Sequence, residues 1–155
     1  MTEPEFPAGR PRRLGFDTGF PNVARIYDAL LGGKDNYAAD REAAGELLKV
    51  VPGAAAAARE NRAFLGRAVR FLAGEAGIRQ FLDIGTGLPA AGNVHQVAQA
   101  TDPAARVVYT DFDPVVVLHA NVLLADAVTV SAVNADLRYP PGPAHLAGRA
   151  RAHRL

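Results

Sequence analysis

The chain has 155 residues, of which 49% are hydrophobic and 21% are charged, and its formal net charge at pH 7 is +1. That length suffices for one domain with a buried core, and so small a charge gives no electrostatic case for nucleic acid or an anionic membrane surface. The absence of cysteine excludes disulfides and cysteine-ligated metals, and no apolar run approaches the roughly 18 residues that a membrane span requires.

The N-terminal segment, residues 1–20, holds three prolines and three glycines and shows no periodic apolar pattern. This composition predicts a flexible arm. The segment also lacks the apolar core of a signal peptide, so we expect a cytoplasmic protein.

Three helices are predicted next. Apolar residues recur at helical spacing between Asn22 and Leu31, where Gly32-Gly33 ends the helix. A second helix is predicted from Ala38 to Val50 and a third from Ala54 to Ala76.

A polar loop, Lys34-Asp35-Asn36-Tyr37, separates the first two predicted helices. Lys34 could bind a carboxylate and Tyr37 could cover a ring. Alternatively, the loop only ends one helix and caps the next through Asp35 or Asn36. The residues leave both interpretations open.

The second part of the chain alternates between strand and helix patterns. The predicted elements are strands at Gln80–Ile84, Arg106–Thr110 and Val128–Val133, and helices at Leu88–Ala100 and Val115–Leu124. This alternation predicts an α/β fold in which N-terminal helices precede a three-stranded parallel sheet with right-handed crossovers.

The first strand leads directly into Asp83-Ile84-Gly85-Thr86-Gly87. The glycines would let a ligand approach the backbone closely. Asp83 stands two residues before Gly85, which suggests a ligand with hydroxyl or ammonium groups rather than a pyrophosphate. An ordinary strand-to-helix turn is the alternative.

Acidic residues also end the other two strands. Asp111 follows the second strand, where a carboxylate commonly accepts hydrogen bonds from both ribose hydroxyls. The alternative for Asp111 and Asp113 is turn formation, which Asp-x-Asp-Pro favours. Asp136 follows the third strand and could accept from an adenine amine, or could simply be a polar strand end.

The histidines show no metal-ligand spacing, and no nucleophile–base arrangement is visible. We therefore predict no metal site and assign no catalytic residue.

Together these motifs resemble the Rossmann-like S-adenosylmethionine-dependent methyltransferases, and more narrowly the actinobacterial S-adenosyl methyltransferase family once classed as a domain of unknown function. The resemblance covers about residues 20–138, and its most specific part is the Gly-Gly-Lys-Asp-Asn block. It is carried by residues 24–28 (ARIYD), 30–37 (LLGGKDNY), 39–42 (ADRE), 59–65 (RENRAFL), 80–93, 107–114 and 135–138 (ADLR).

The resemblance implies that S-adenosylmethionine lies across the strand ends as the methyl donor. Asp83, Gly85 and Gly87 would line its methionine part, and Asp111 would hold the ribose. Phe112 or Asp113 would flank the adenine, and Asp136 would accept from its amine. The Lys34, Asn36 and Tyr37 loop would lie over the site as a lid. The acceptor is expected to be a small molecule, and a catalytic base is optional in this class.

The family's domain is longer and has a seven-stranded sheet. We therefore expect residues 21–138 to be the N-terminal part of a methyltransferase domain, in a truncated or frame-shifted product. Residues 139–155 would form an irregular basic tail rich in proline and arginine. The Gln80–Ile84 strand would keep an open apolar edge, through which we expect self-association. A catalytically inactive remnant or a nucleoside-binding module is the alternative function.

Overall fold

The computed structural model describes residues 17–123 and 128–139. The predictions for the arm at residues 1–16 and the tail at residues 140–155 lie outside the described residues. The elements in chain order are α1 (Val23–Leu31), α2 (Ala38–Val50), α3 (Ala54–Gly74), β1 (Gln80–Ile84), α4 (Val94–Gln99), β2 (Arg106–Asp111), α5 (Pro114–Leu123) and β3 (Val130–Asn134).

The three strands form one parallel sheet in the order β1-β2-β3. Consecutive strands are neighbours, and each pair is joined by a helix, as the alternation predicted. The α/β fold class is therefore confirmed. Because all three strands run the same way, their carboxyl ends meet at one edge of the sheet.

One face of the sheet carries the core. Val107 and Tyr109 of β2 are buried there beside Val130 of β3, and they pack against small side chains of α3 and α4. The helical partners are Val69, Ala73, Val94 and Ala98. The small alanine side chains allow α3 and α4 to pack closely in this core.

The other face of the sheet is not covered by the described residues. None of its side chains on the three strands is buried, and Leu82 and Ile84 of β1 are 62% and 47% exposed. Within the described ranges β1 pairs with β2 alone, so it is an edge strand, as the sequence predicted.

The prediction that a helix begins at Leu88 was wrong, because α4 begins only at Val94. Pro89 and Gly92 fall in a loop before it, and Asn93 is the N-cap. The Asn93 Oδ1 accepts from the Ala90 N–H at 3.1 Å, and the Gln96 Oε1 accepts from the Asn93 N–H at 2.9 Å. The Asn-x-x-Gln spacing is a start signal for a helix that the periodicity analysis overlooked.

Two buried charged side chains join the N-terminal helices. The Arg25 Nε donates to the Asp40 Oδ2 at 2.8 Å, and Asp40 also accepts from the backbone N–H groups of Asn22 and Tyr37. Burial raises the pKa of Asp40, but these hydrogen bonds and the Arg25 charge outweigh it and hold the pKa below its ordinary value. The pair fixes α1 against the start of α2.

None of the helices in the described ranges is both long and apolar enough to cross a bilayer.

Candidate functional site

A cavity of about 520 Å³, here called the strand-end cavity, opens at the carboxyl ends of β1 and β2. Ligands of open α/β sheets bind at this edge. Six residues that the sequence singled out line the cavity: Asp83, Gly85, Gly87, Asp111, Phe112 and Asp113. The structure thus brings most of the predicted site together.

The glycine turn presents bare backbone to the strand-end cavity. Gly85 and Gly87 have φ values of +68° and +65°, which L side chains rarely adopt. A Cβ atom built at either glycine would meet nothing within 4 Å, so the space in front of the turn is open. A ligand can therefore approach the backbone here as closely as the absent side chains allow.

Asp83 presents a carboxylate that is only partly solvated. Burial raises its pKa, while a hydrogen bond from the Thr86 Oγ1 at 3.3 Å and the Arg62 charge act in the opposite direction. Because burial disfavours the ionised carboxylate, a cationic or hydrogen-bond-donating ligand group would stabilise it. It suits an ammonium group.

Asp111 is buried and holds the turn in place. Its Oδ2 accepts from the Gly87 N–H at 3.0 Å, and its Oδ1 accepts from the Asp113 N–H at 2.9 Å. Each carboxylate oxygen keeps a second acceptor position. Asp111 can therefore accept two ribose hydroxyls while it continues to support both loops.

Asp113 ties the N-terminal helices to the strand ends. Its Oδ2 accepts from the Asn22 Nδ2 at 2.6 Å, and its Oδ1 accepts from the Val115 N–H at 2.8 Å. Asn22 is also the N-cap of α1, where its side chain accepts from two backbone N–H groups. The Asp113 loop was predicted from the sequence, but its partner Asn22 was not.

Lys34, Asn36 and Tyr37 lie elsewhere. They line a separate cavity of about 100 Å³ beside Val115 and His119. Lys34 also lines a larger one of about 690 Å³, here called the second cavity. The structure does not bring these three residues to the strand-end cavity, and the lid role stays a prediction.

Asp136 is not among the residues that line these cavities. Its carboxylate binds the Arg138 side chain, with the Arg138 Nη2 at 2.6 Å from Oδ2, and these hydrogen bonds lower the pKa of Asp136 to about 2. Contact between Asp136 and an adenine amine therefore stays a prediction.

The loop of residues 32–37 is shaped by Asp28, which the sequence analysis missed. The buried Asp28 Oδ2 accepts from the Asp35 N–H at 2.9 Å and from the Asn36 Nδ2 at 2.8 Å. A Cβ atom at Gly33 would collide with the Asp28 carboxylate. Gly32 is required for a different reason, because its φ of +77° ends α1 in the left-handed region. The sequence did contain a signal for Asp28, because it is an acidic residue among the apolar positions of α1.

Arg62 of α3 is the other residue that was missed. Its Nη2 donates to the carbonyl groups of Ala91 and Gly92 at 3.2 and 3.3 Å, which ties α3 to the loop before α4. Arg62 lines both the strand-end cavity and the second cavity. Only its three-dimensional position, not its sequence context, distinguishes it from the other arginines of α3.

The described residues contain no group of three or more His, Asp or Glu side chains that could hold a metal ion.

Comparisons with known proteins show which family and which folds the chain resembles. Residues 10–148 match the model of a family described as S-adenosyl methyltransferase. A crystal structure from Thermobifida fusca YX, assigned as a methyltransferase, is 50% identical, with a TM-score of 0.79, and the match covers 89% of this chain and 51% of that one. A DUF574 family protein from Streptomyces avermitilis MA-4680 is 48% identical, with a TM-score of 0.73, over 77% of this chain and 47% of that one.

The chain thus spans about half the length of the solved structures that it matches. No curated protein matches it.

Proposed function

Because the chain belongs to the S-adenosyl methyltransferase family, we propose that it binds S-adenosylmethionine in the strand-end cavity and transfers the methyl group to a small-molecule acceptor. One observation carries the proposal. The open backbone of Gly85 and Gly87 stands between two carboxylates, Asp83 and Asp111, that suit the two polar ends of this donor.

Each residue of the cavity has a distinct role in the proposal. Asp83 faces the donor's ammonium group, and the glycine turn lets the methionine part approach the backbone. Asp111 accepts from the ribose hydroxyls through the acceptor positions that Gly87 and Asp113 leave free. Phe112 is 56% exposed at the rim, where its ring can cover the adenine.

The donor supplies a methyl group on a sulfonium. The acceptor's electron pair forms the new bond to the methyl carbon, and the electron pair of the broken C–S bond stays on sulfur. The acceptor proton leaves to solvent. The chain's contribution is alignment, because holding two reactants in a near-attack geometry removes much of the barrier. Asp83 lies beside Thr86 of the turn, and Asp111 is held by hydrogen bonds from Gly87 and Asp113, so the two carboxylates can bind the donor at both ends.

A second candidate function is donor binding without methyl transfer. It is favoured by the exposure of Ile84, which lines the strand-end cavity yet belongs to the uncovered sheet face. A ligand could be held at such an open wall without the exclusion of water that transfer chemistry favours.

Isothermal titration with S-adenosylhomocysteine, and with its analogue lacking both ribose hydroxyls, tests the proposal. We expect loss of the hydroxyls to weaken binding to the wild type by about tenfold or more, since hydrogen bonds to a charged group contribute about 1.5–3 kcal/mol. In Asp111→Asn the same loss should have a much smaller effect. Glu46→Gln, on the surface of α2, is the matched control.

No binding of S-adenosylhomocysteine by folded wild-type protein would contradict the proposed function. Binding without methyl transfer in an assay with radiolabelled S-adenosylmethionine and a panel of small-molecule acceptors would favour the second candidate.

A further inference from the structure

The second cavity, of about 690 Å³, has no role in donor binding as proposed above. Small-molecule sites commonly have volumes of about 300–1,000 Å³, so the two large cavities offer room for two ligands. A small cavity of about 20 Å³ lies between them: it shares Tyr27, Thr86 and Gly87 with the strand-end cavity, and Asp28 and Ala90 with the second cavity. The second cavity therefore lies next to the strand-end cavity, in which the donor is proposed to bind.

The polar groups at one wall of the second cavity are hydrogen-bond donors. The Asn93 Oδ1 accepts from the Ala90 N–H, and the Gln96 Oε1 accepts from the Asn93 N–H. Because both amide oxygens serve the loop, the Nδ2 group of Asn93 and the Nε2 group of Gln96 remain to donate to a ligand.

His95 adds a third donor at the same wall. Its Nδ1 lies 2.8 Å from the Tyr109 hydroxyl oxygen, which also accepts from the His95 backbone N–H. Among the described residues, 17–123 and 128–139, the Tyr109 hydroxyl proton has no other acceptor. We therefore assign this proton to a hydrogen bond with the His95 Nδ1. Burial lowers the pKa of His95, which favours the neutral ring. The neutral ring then carries its proton on Nε2.

Two cations and two acids complete the lining. Lys34 has no described hydrogen bond or ion pair among residues 17–123 and 128–139, and Arg62 donates to two loop carbonyls. The Asp28 Oδ2 accepts two hydrogen bonds from the loop, and both Asp28 and Asp35 contribute an opposing charge. The formal charges of these four side chains therefore sum to zero. Selectivity for an anion must come from the hydrogen-bond donors near Lys34.

We propose, building on the proposed function, that the second cavity binds the methyl acceptor and that this acceptor is a small molecule carrying a carboxylate or a phosphate. The oxyanion would be held by Lys34 with the donors of Asn93, His95 and Gln96. The apolar wall of Leu31, Pro89 and Ala91 would contact the body of the acceptor.

A competing explanation is that Lys34 binds the carboxylate of the donor's own methionine part. The experiment must separate this from acceptor binding. The chain has two lysines, Lys34 and Lys49, and Lys49 pairs with Glu46 on the surface of α2. Lys49→Met is therefore a matched control for Lys34→Met.

The experiment measures binding to the full chain saturated with S-adenosylhomocysteine, by NMR titration with benzoate, phenyl phosphate and the neutral isostere benzamide. We expect at least one of the two anions to bind about tenfold more tightly than benzamide, the factor that about 1.4 kcal/mol gives. Lys34→Met should remove this preference and Lys49→Met should keep it. The preferred anion identifies the acceptor as a carboxylate or a phosphate.

Equal binding of anions and benzamide, or no binding of either while S-adenosylhomocysteine binds, would overturn the acceptor proposal alone. So would a Lys34→Met variant that binds S-adenosylhomocysteine more weakly but binds 5′-methylthioadenosine, which lacks the amino-acid part, like the wild type. If the folded wild type binds no S-adenosylhomocysteine, the proposed function fails and this inference fails with it.

Discussion

The acidic residues at the strand ends differ in how much of their hydrogen-bonding capacity the fold already uses. Asp111 and Asp113 each accept two hydrogen bonds from the protein, whereas Asp83 accepts one weak bond from Thr86 at 3.3 Å. Asp83 is therefore the carboxylate with most to gain from a ligand, and Asp111 has a structural role as well as a binding one.

We expect Asp83→Asn to stabilise the fold while it weakens donor binding. Burial raises the pKa of Asp83 above its unfolded value, so its ionised form opposes folding at neutral pH. The variant should melt at the same temperature as the wild type or higher at pH 7. The two melting temperatures should converge as the pH falls through the raised pKa and the wild-type carboxyl becomes neutral.

Affinity for S-adenosylhomocysteine should fall by about tenfold or more in Asp83→Asn, because a charge-assisted hydrogen bond is lost. Circular dichroism melts and isothermal titration measure the two effects. A variant that binds the ligand as tightly as the wild type would show that Asp83 does not contact the donor.

At this scale the sequence singled out the acids and glycines that line the strand-end cavity, because they directly follow predicted strands, while their roles in ligand binding stay predictions. It missed Asn22, Asp28 and Arg62, because their roles come from contacts across the fold. The Asn22–Asp113 bond joins residues 91 positions apart, and no local pattern encodes it.

At the scale of elements, a buried ion pair between Arg25 and Asp40 joins the helices α1 and α2. Asp40 is fully buried and accepts three hydrogen bonds, from Arg25, Asn22 and Tyr37, so it fixes α1, α2 and the loop between them. This arrangement also places Asn22 against Asp113, and so it supports the wall of the strand-end cavity.

We expect Asp40→Asn to lower the free energy of unfolding by about 3 kcal/mol, because the buried Arg25 charge then loses its carboxylate partner. Glu46→Gln, which breaks an exposed pair, should lower it by about 0.5 kcal/mol or less. Urea unfolding measures both.

The pKa of Asp40 is lowered from 3.8, so its contribution should be present above that value and lost as the pH falls through the lowered pKa. Equal unfolding free energies for the two variants at pH 7 would contradict the role assigned to the Arg25–Asp40 pair.

The elements themselves were largely predictable. Helix α5 begins at Pro114, one residue before the predicted start, and the strands fall close to the predicted ranges. The start of α4 was mispredicted because the prediction used only the spacing of apolar residues. It ignored Asn93 and Gln96, whose hydrogen bond places the N-terminus of the helix at Val94.

At the scale of the whole molecule, the sheet has one covered and one uncovered face in the described residues. The uncovered face includes Leu82 and Ile84 on an edge strand, and exposed apolar edges favour association. This edge was predicted from the family resemblance, because in that fold the first strand is central and its neighbour on the other side is the fourth strand. The sequence did not predict the cavities, whose walls come from helices that dock on the sheet.

We expect the chain to self-associate through this face at high concentration. Leu82→Lys places a charge on the uncovered face, opposite Val108 of β2, and should shift the sedimentation profile toward monomer. Leu47→Lys on α2, an exposed leucine of another surface, is the control and should leave the profile unchanged. A wild type that remains monomeric at all concentrations would contradict this expectation.

Arg62 has a consequence for how two ligands would interact. It lines the strand-end cavity, the second cavity and the small cavity between them, and its guanidinium donates to the carbonyls of Ala91 and Gly92. A ligand that draws this side chain toward one cavity withdraws a charge from the other. Donor and acceptor affinities would then share a single coupling free energy, equal in both directions. Each substrate would then weaken the binding of the other through a side chain that takes no part in the chemistry.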